Sequence, residues 1–186
     1  MNSLQLKLSH FIGNTPIIEL ESHLLLKAEI FNPTGSIKDR PASRIIEDAE
    51  KRRLLSPGDT LIEATSGNMG ISLAWIAAER GYKMQIVMPS NMSEERKKTL
   101  ELYGANLIEV DPGDFDGAIR LRDELAQKNG WFNCNQFANP LNILAHRETT
   151  ALEIIQYCEL NQIVPSTFIT GTGTGGTLMG AGLKLR

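Results

Sequence analysis

Two rhythms of apolar and polar positions alternate along this chain. TPIIEL and LLLKAEI are short apolar runs joined by a brief polar turn and predict two early strands. From about Ser36 to Leu54 the rhythm changes. Ala42, Ile45, Ile46 and Ala49 fall on one stripe at helical spacing, and SPGD closes the helix. TLIEA then predicts a strand, and GISLAWIAAERG a helix ended by Gly81. MQIVMP, ANLIEV, WFNCNQF and STFITG predict further strands. SEERKKTLELYG, FDGAIRLRDELAQKNG and a long stretch from roughly Leu141 to Leu160 predict helices between them, and GGTLMGAGLKLR begins a last one. On the first of these, Glu94 and Lys98 stand one helical turn apart, spaced to pair on a solvated face. Strand–helix alternation predicts an α/β fold, a mostly parallel twisted sheet with helices on both faces. Ligands in such sheets bind where loops leave the carboxyl ends of the strands.

Composition changes this picture little. The chain has 186 residues, 41% hydrophobic and 22% charged, within the ordinary range for a soluble globular protein. A net charge of −3 argues against nucleic acid or an anionic membrane as partner. No apolar run is long enough to span a bilayer. The start, MNSLQLKLSH, lacks a signal-peptide core, so a cytoplasmic address is expected. Cys134 and Cys158 form no CxxC pair and read as reduced, half-buried thiols. His10, His23 and His146 have no ligand spacing, and no metal is expected.

Three loops at strand ends carry candidate chemistry. NPTGSIKDR, residues 32–40, places Lys38 at a helix start, where unpaired N–H groups disfavour positive charge and favour a neutral, nucleophilic amine. The same residues also read as a capped helix start, with Thr34 or Ser36 as the cap. EATSGNMGI, residues 63–71, offers Thr65, Ser66, Gly67 and Asn68 at a second helix entry, a place to hold a carboxylate or an ordinary strand–turn–helix connection. GTGTGGT, residues 171–177, crowds four glycines and three threonines into a third. It reads as a phosphate cradle. Gly171, Gly173 and Gly176 also match a dinucleotide fingerprint, but the acid expected about 20 residues on has no place before Arg186. A Schiff-base lysine together with a monophosphate cradle points to pyridoxal phosphate.

NPTGSIKDR, IEATSGNMGI, MPSNMSEER, NQFANP and GTGTGGT, in this order and across nearly the whole chain, resemble the cysteine synthase (O-acetylserine sulfhydrylase) family, its B-type branch in particular. The resemblance implies a two-domain, three-layer α/β/α architecture, the type II pyridoxal-phosphate fold. Residues 36–145 would form the smaller domain with the carboxylate loop. Residues 1–35 and 146–186 would form an incomplete larger, cofactor-binding domain. It implies Lys38 as the Schiff-base lysine and the base at the substrate α-carbon. Asn68 would bond the cofactor's ring oxygen, and Gly173, Thr174, Gly175, Gly176 and Thr177 its phosphate. Thr65, Ser66, Gly67 and Gln136 would grip the substrate carboxylate, with Met69 standing where the family usually has threonine. The implied activity is β-replacement, making L-cysteine from O-acetylserine or a similar activated serine and a sulfur donor, by an enzyme that is a homodimer in full-length members. Pro41 replaces a small residue and fixes where its helix can begin. The family pattern continues past Arg186, so an inactive remnant that binds phosphate or a partner is one alternative. A cystathionine-β-synthase-like β-replacement enzyme is another.

Overall fold

The computed structural model describes residues 7–21 and 23–186. Residues 1–6, which open the segment read above for its lack of a signal core, and Ser22 lie outside the described residues. In chain order the elements are β1 (Ile17–Glu21), β2 (Leu24–Lys27), α1 (Asp39–Lys51), β3 (Thr60–Ala64), α2 (Asn68–Arg80), β4 (Lys83–Pro89) and α3 (Glu94–Leu102). There follow β5 (Ala105–Val110), α4 (Phe115–Asn129), β6 (Phe132–Asn133), α5 (Leu141–Ala145), α6 (Ala151–Leu160) and α7 (Leu183–Leu185).

Two compact units divide the chain. One is Ile45–Asn139; the other takes the described residues up to Arg44 together with Pro140–Arg186. The boundary falls inside α1, where the sequence reading divides at 36 and 145. The first turn of α1 goes with the terminal unit because Arg40 and Arg44 pair there with Glu29, Glu153 and Glu148.

In the central unit β3, β4, β5 and β6 form one parallel sheet in the order β5-β4-β3-β6. Successive residues of a strand face opposite sides. Ile62, Ala64 and Val87 pack with Ala118 and Ala126 of α4 on one face. On the other, α2 comes so close that a Cβ on Gly70 would lie 3.4 Å from both Ile86 and Leu100. That gives the expected three layers. The strand predicted over WFNCNQF shrinks to β6, and Cys134 adds one more hydrogen bond, to the Ile62 carbonyl, before the chain turns at Asn135 with φ 47°. On α3 the ion pair is Glu94 with Lys97, not Lys98, because Lys97 also reaches Glu109 on β5 at 2.7 Å.

In the terminal unit β1 and β2 form an antiparallel hairpin, with Ile17 opposite Lys27. Arg40, only 3% exposed, donates to Glu29 and Glu153, and Lys27 reaches Glu153 at 2.6 Å. This buried cluster ties β2, α1 and α6 together. Burial alone would raise the Glu153 carboxyl, but hydrogen bonds from Arg40 and Lys27 outweigh it and bring it down to about 2. The predicted helix from Leu141 to Leu160 is present but widens at His146–Thr150 into a π-helical turn between α5 and α6. A second π-helical stretch, Leu178–Gly182, lies against the first; a Cβ on Gly180 would sit 2.4 Å from the Ile143 carbonyl oxygen. STFITG forms no strand. No partner strand lies beside it among the described residues, and Val164 and Ile169 are 92% and 83% exposed. Cys134 and Cys158 are free thiols, buried rather than half-buried. No helix among the described residues is long and apolar enough to cross a membrane.

Candidate active site

The central unit places the TSGN loop where open parallel sheets bind ligands. β3 ends at Ala64, and Thr65 begins the turn into α2. A cavity of about 190 Å³ opens there, at the ends of β3 and β4. Thr65, Ser66, Gly67 and Gln136 line one part of it, and Phe115, Ile119 and Phe137 line an apolar part. The Thr65 hydroxyl accepts from the Gly67 N–H at 3.3 Å, while the backbone N–H and hydroxyl of Ser66 make no hydrogen bond among the described residues. Gly70 lets this turn settle: a Cβ there would be 2.8 Å from the Thr65 methyl. Ser66 therefore presents two donors at the head of a helix, where the dipole favours an anion.

Gln136 is held from beneath. Its N–H donates to Glu63 at 2.9 Å and its side-chain amide to the Ala64 carbonyl at 3.5 Å. Glu63, 0% exposed, also accepts from Arg122 at 3.1 Å. Burial pushes the Glu63 carboxyl up, against the Gln136 and Ala64 N–H groups and the Arg122 charge. Met69 stands apart from the cavity wall; it is 2% exposed and its side chain belongs to the core. Asn68, the first residue of α2, is exposed.

The terminal unit carries Lys38 and the glycine-rich loop. Lys38 lies one residue before α1, its N–H donating to the Ser36 hydroxyl and its carbonyl accepting from Ala42. Ser36 thus holds the turn that leads into α1 rather than capping the helix itself, and Thr34 bonds Asp39 in the first turn. The Lys38 amine is held below the usual lysine range, and burial is the cause. In the loop, Gly171, Gly173 and Gly175 have nothing within 4 Å of where a Cβ would project, and Gly175 has φ +79°. The N–H groups of Gly173, Thr174 and Gly175 make no hydrogen bond among the described residues. Gly176 differs: a Cβ there would lie 2.3 Å from the Asn142 amide oxygen.

His146, to which the sequence assigns no role, joins this loop. Fully buried in the π-helical turn, it meets Thr150 through Nδ1 at 3.1 Å and Thr177 through Nε2 at 3.4 Å. Burial, with the charges of Lys38 and Arg40, brings its pKa down to about 4, so the ring is neutral at pH 7. No spacing rule finds His146 or Asn142, because their partners lie about thirty residues on. Glu63 did leave a signal: a carboxylate in the middle of the apolar run TLIEA.

Residues 8–186 match the family described as pyridoxal-phosphate dependent enzyme. The chain belongs to that family. It is 46% identical over 183 residues to O-ureido-L-serine synthase of Streptomyces lavendulae, covering 94% of this chain and 56% of that protein. It is also 46% identical to cysteine synthase B of Escherichia coli K12, covering 90% and 59% of the two chains. Among solved structures, O-ureido-L-serine synthase superposes with a TM-score of 0.91 at 46% identity, over 96% of this chain and 58% of that one. Cysteine synthase from Entamoeba histolytica gives 0.88 at 36% identity, over 99% and 57%. The chain thus spans less than two thirds of these relatives' length. The architecture is the α/β type II fold of these enzymes, and the family's cofactor is pyridoxal 5'-phosphate. The residues present fit that cofactor. An open loop with three free N–H groups suits a phosphate, and a partly buried amine of lowered pKa suits its aldehyde.

Proposed function

We propose that this chain serves a pyridoxal-phosphate-dependent β-replacement on an activated serine such as O-acetylserine, with a sulfur donor as acceptor and L-cysteine as product. The observation that carries the reading is the meeting of Thr65, Ser66, Gly67 and Gln136 in one cavity at the head of α2. The Ser66 N–H and hydroxyl, the Thr65 hydroxyl and the Gln136 amide bind and orient the substrate carboxylate. Met69 acts on this grip from inside, packing the loop into the core and offering no donor of its own. Lys38, neutral more readily than an exposed lysine, takes the proton from the substrate α-carbon. Asn68 bonds the cofactor's ring oxygen, and residues Gly173 to Thr177 hold its phosphate. When bound, the cofactor supplies the electron sink that makes the α-proton removable.

The likeness to O-ureido-L-serine synthase favours a second reading. The product in that name differs from cysteine only in what joins the β-carbon, so the acceptor separates the two. The test has two parts. Borohydride reduction with pyridoxal phosphate present, followed by peptide mapping, leaves the pyridoxyl group on Lys38; a label spread over other lysines sinks the assignment. The loaded chain is then given O-acetylserine with sulfide, homocysteine or hydroxyurea. Turnover with sulfide supports cysteine synthesis. Turnover with hydroxyurea alone supports the second reading, with homocysteine alone the cystathionine-forming one. Labelling of Lys38 without any turnover leaves the inactive remnant.

A further inference from the structure

Asn142 is 3% exposed and lies in α5, outside the glycine-rich loop. Its amide Nδ2 donates to the Thr174 hydroxyl at 2.8 Å, thirty-two residues on in sequence. The Gly176 N–H also points to that oxygen, at 3.4 Å. A hydroxyl has one hydrogen and two lone pairs. With both lone pairs facing donors, the hydrogen of Thr174 is directed away from Asn142, and it meets no acceptor among the described residues. Asn142 also explains one of the glycines. Gly173 and Gly175 face open space, whereas any side chain at Gly176 would strike the Asn142 amide. The loop is therefore seated on Asn142 at two points, one a hydrogen bond and one a steric fit.

We propose that Asn142 is a positioning residue for the phosphate cradle: it fixes the Thr174 hydroxyl as a donor pointing toward a bound phosphate and sets the height of the loop through Gly176. The inference rests on reading residues 171–177 as that cradle. A neutral amide suits the task. It donates without adding charge, and an aspartate of the same size would remove the donor and repel the anion.

The experiment compares pyridoxal phosphate with pyridoxal, the same aldehyde without phosphate, binding to the 186-residue chain by near-visible absorbance. Asn142→Ala is expected to weaken pyridoxal phosphate by about tenfold and leave pyridoxal unchanged. Asn142→Asp, which keeps the packing, is expected to weaken it further, and carries the test if the alanine variant does not fold. The loss should require the hydroxyl: on a Thr174→Val background Asn142→Ala costs nothing more, and on Thr174→Ser it costs as much as in the parent. Equal weakening of both ligands, or a loss independent of Thr174, overturns the proposal in favour of a purely structural amide. A parent chain that prefers pyridoxal phosphate, and Asn142 variants that keep the preference, overturn it alone. A parent chain that binds the two equally removes the cradle reading, and this proposal with it.

Discussion

At the scale of single residues, His146 and Glu153 make acid stability a two-step affair. The His146 ring has a pKa of about 4 in the folded chain against an ordinary 6.5. The folded state then binds fewer protons than the unfolded one between those values, so stability is complete above pH 6.5 and falls as pH drops toward 4. A shift of this size corresponds to about 3 kcal/mol. Glu153 acts lower. Its folded value of about 2 lies below the ordinary 4.5, so its contribution is present above 4.5 and is lost as pH falls toward 2. Urea midpoints measured from pH 7.5 to 3 should show both windows, and His146→Gln should remove the upper one only. A flat profile between pH 6.5 and 4.5 in the parent would show that His146 can take up a proton without cost.

At the scale of elements, α4 offers a sharp case. Asp114 caps it, accepting from the Gly117 N–H at 2.7 Å. A Cβ on Gly117 would fall 1.9 Å from the same carboxylate. Glycine to alanine inside a helix ordinarily stabilises by up to about 1 kcal/mol. Here Gly117→Ala should destabilise, because the cap is displaced and losing it costs about 1 kcal/mol. Asp114→Ala removes the conflict with the cap, so adding Gly117→Ala to it should stabilise. Thermal unfolding of the two single variants and the double checks the sign change, and a stabilising Gly117→Ala in the parent contradicts it.

At the scale of the whole molecule, each compact unit has its own buried ion pair. In the terminal unit Arg40 joins Glu29 and Glu153; in the central unit Arg122, 2% exposed, meets Glu63. Removing one partner of such a pair typically costs about 3–5 kcal/mol, because a buried charge is left alone. Arg122→Met should therefore destabilise the central unit by that order. Changing both partners, Glu63→Gln with Arg122→Met, should recover part of it. Denaturant unfolding reads both. The same logic ranks local stability. β3 and β4 are paired on both sides and lie beneath packed helices, so their amides should exchange slowest. The terminal unit exposes Phe11, Leu20, Leu24, Ile30 and Phe31 by half or more, and should bind an apolar dye. Faster exchange in β4 than in the β1–β2 hairpin would reverse that ranking.

Much of this protein was legible before any coordinates. The apolar stripe Ala42–Ile45–Ile46–Ala49 carries a helical period, and the short apolar runs TLIEA and MQIVMP have strand length between turn residues. The three loops were legible because turn chemistry is local: the Ser36 hydroxyl accepts from the Lys38 N–H, the Thr65 hydroxyl from the Gly67 N–H, and Gly175 takes a positive φ, each within its own loop. The rest needed the folded chain. STFITG has the composition of a strand but no neighbour to pair with among the described residues, and a strand exists only as part of a sheet. The π-helical turn at His146–Thr150 leaves no mark on an apolar stripe, since it adds one residue per turn without changing which residues are apolar. The depressed pKa of Lys38 was expected from the helix start; burial produces it, and burial is a property of everything packed around the amine. Asn142 on Thr174, His146 on Thr177 and Arg122 on Glu63 join residues thirty to sixty positions apart. Sequence alone offered candidate residues for a carboxylate, a phosphate and an aldehyde. Only the tertiary structure decided which other residues hold them in place, because such contacts depend on distance in space rather than along the chain.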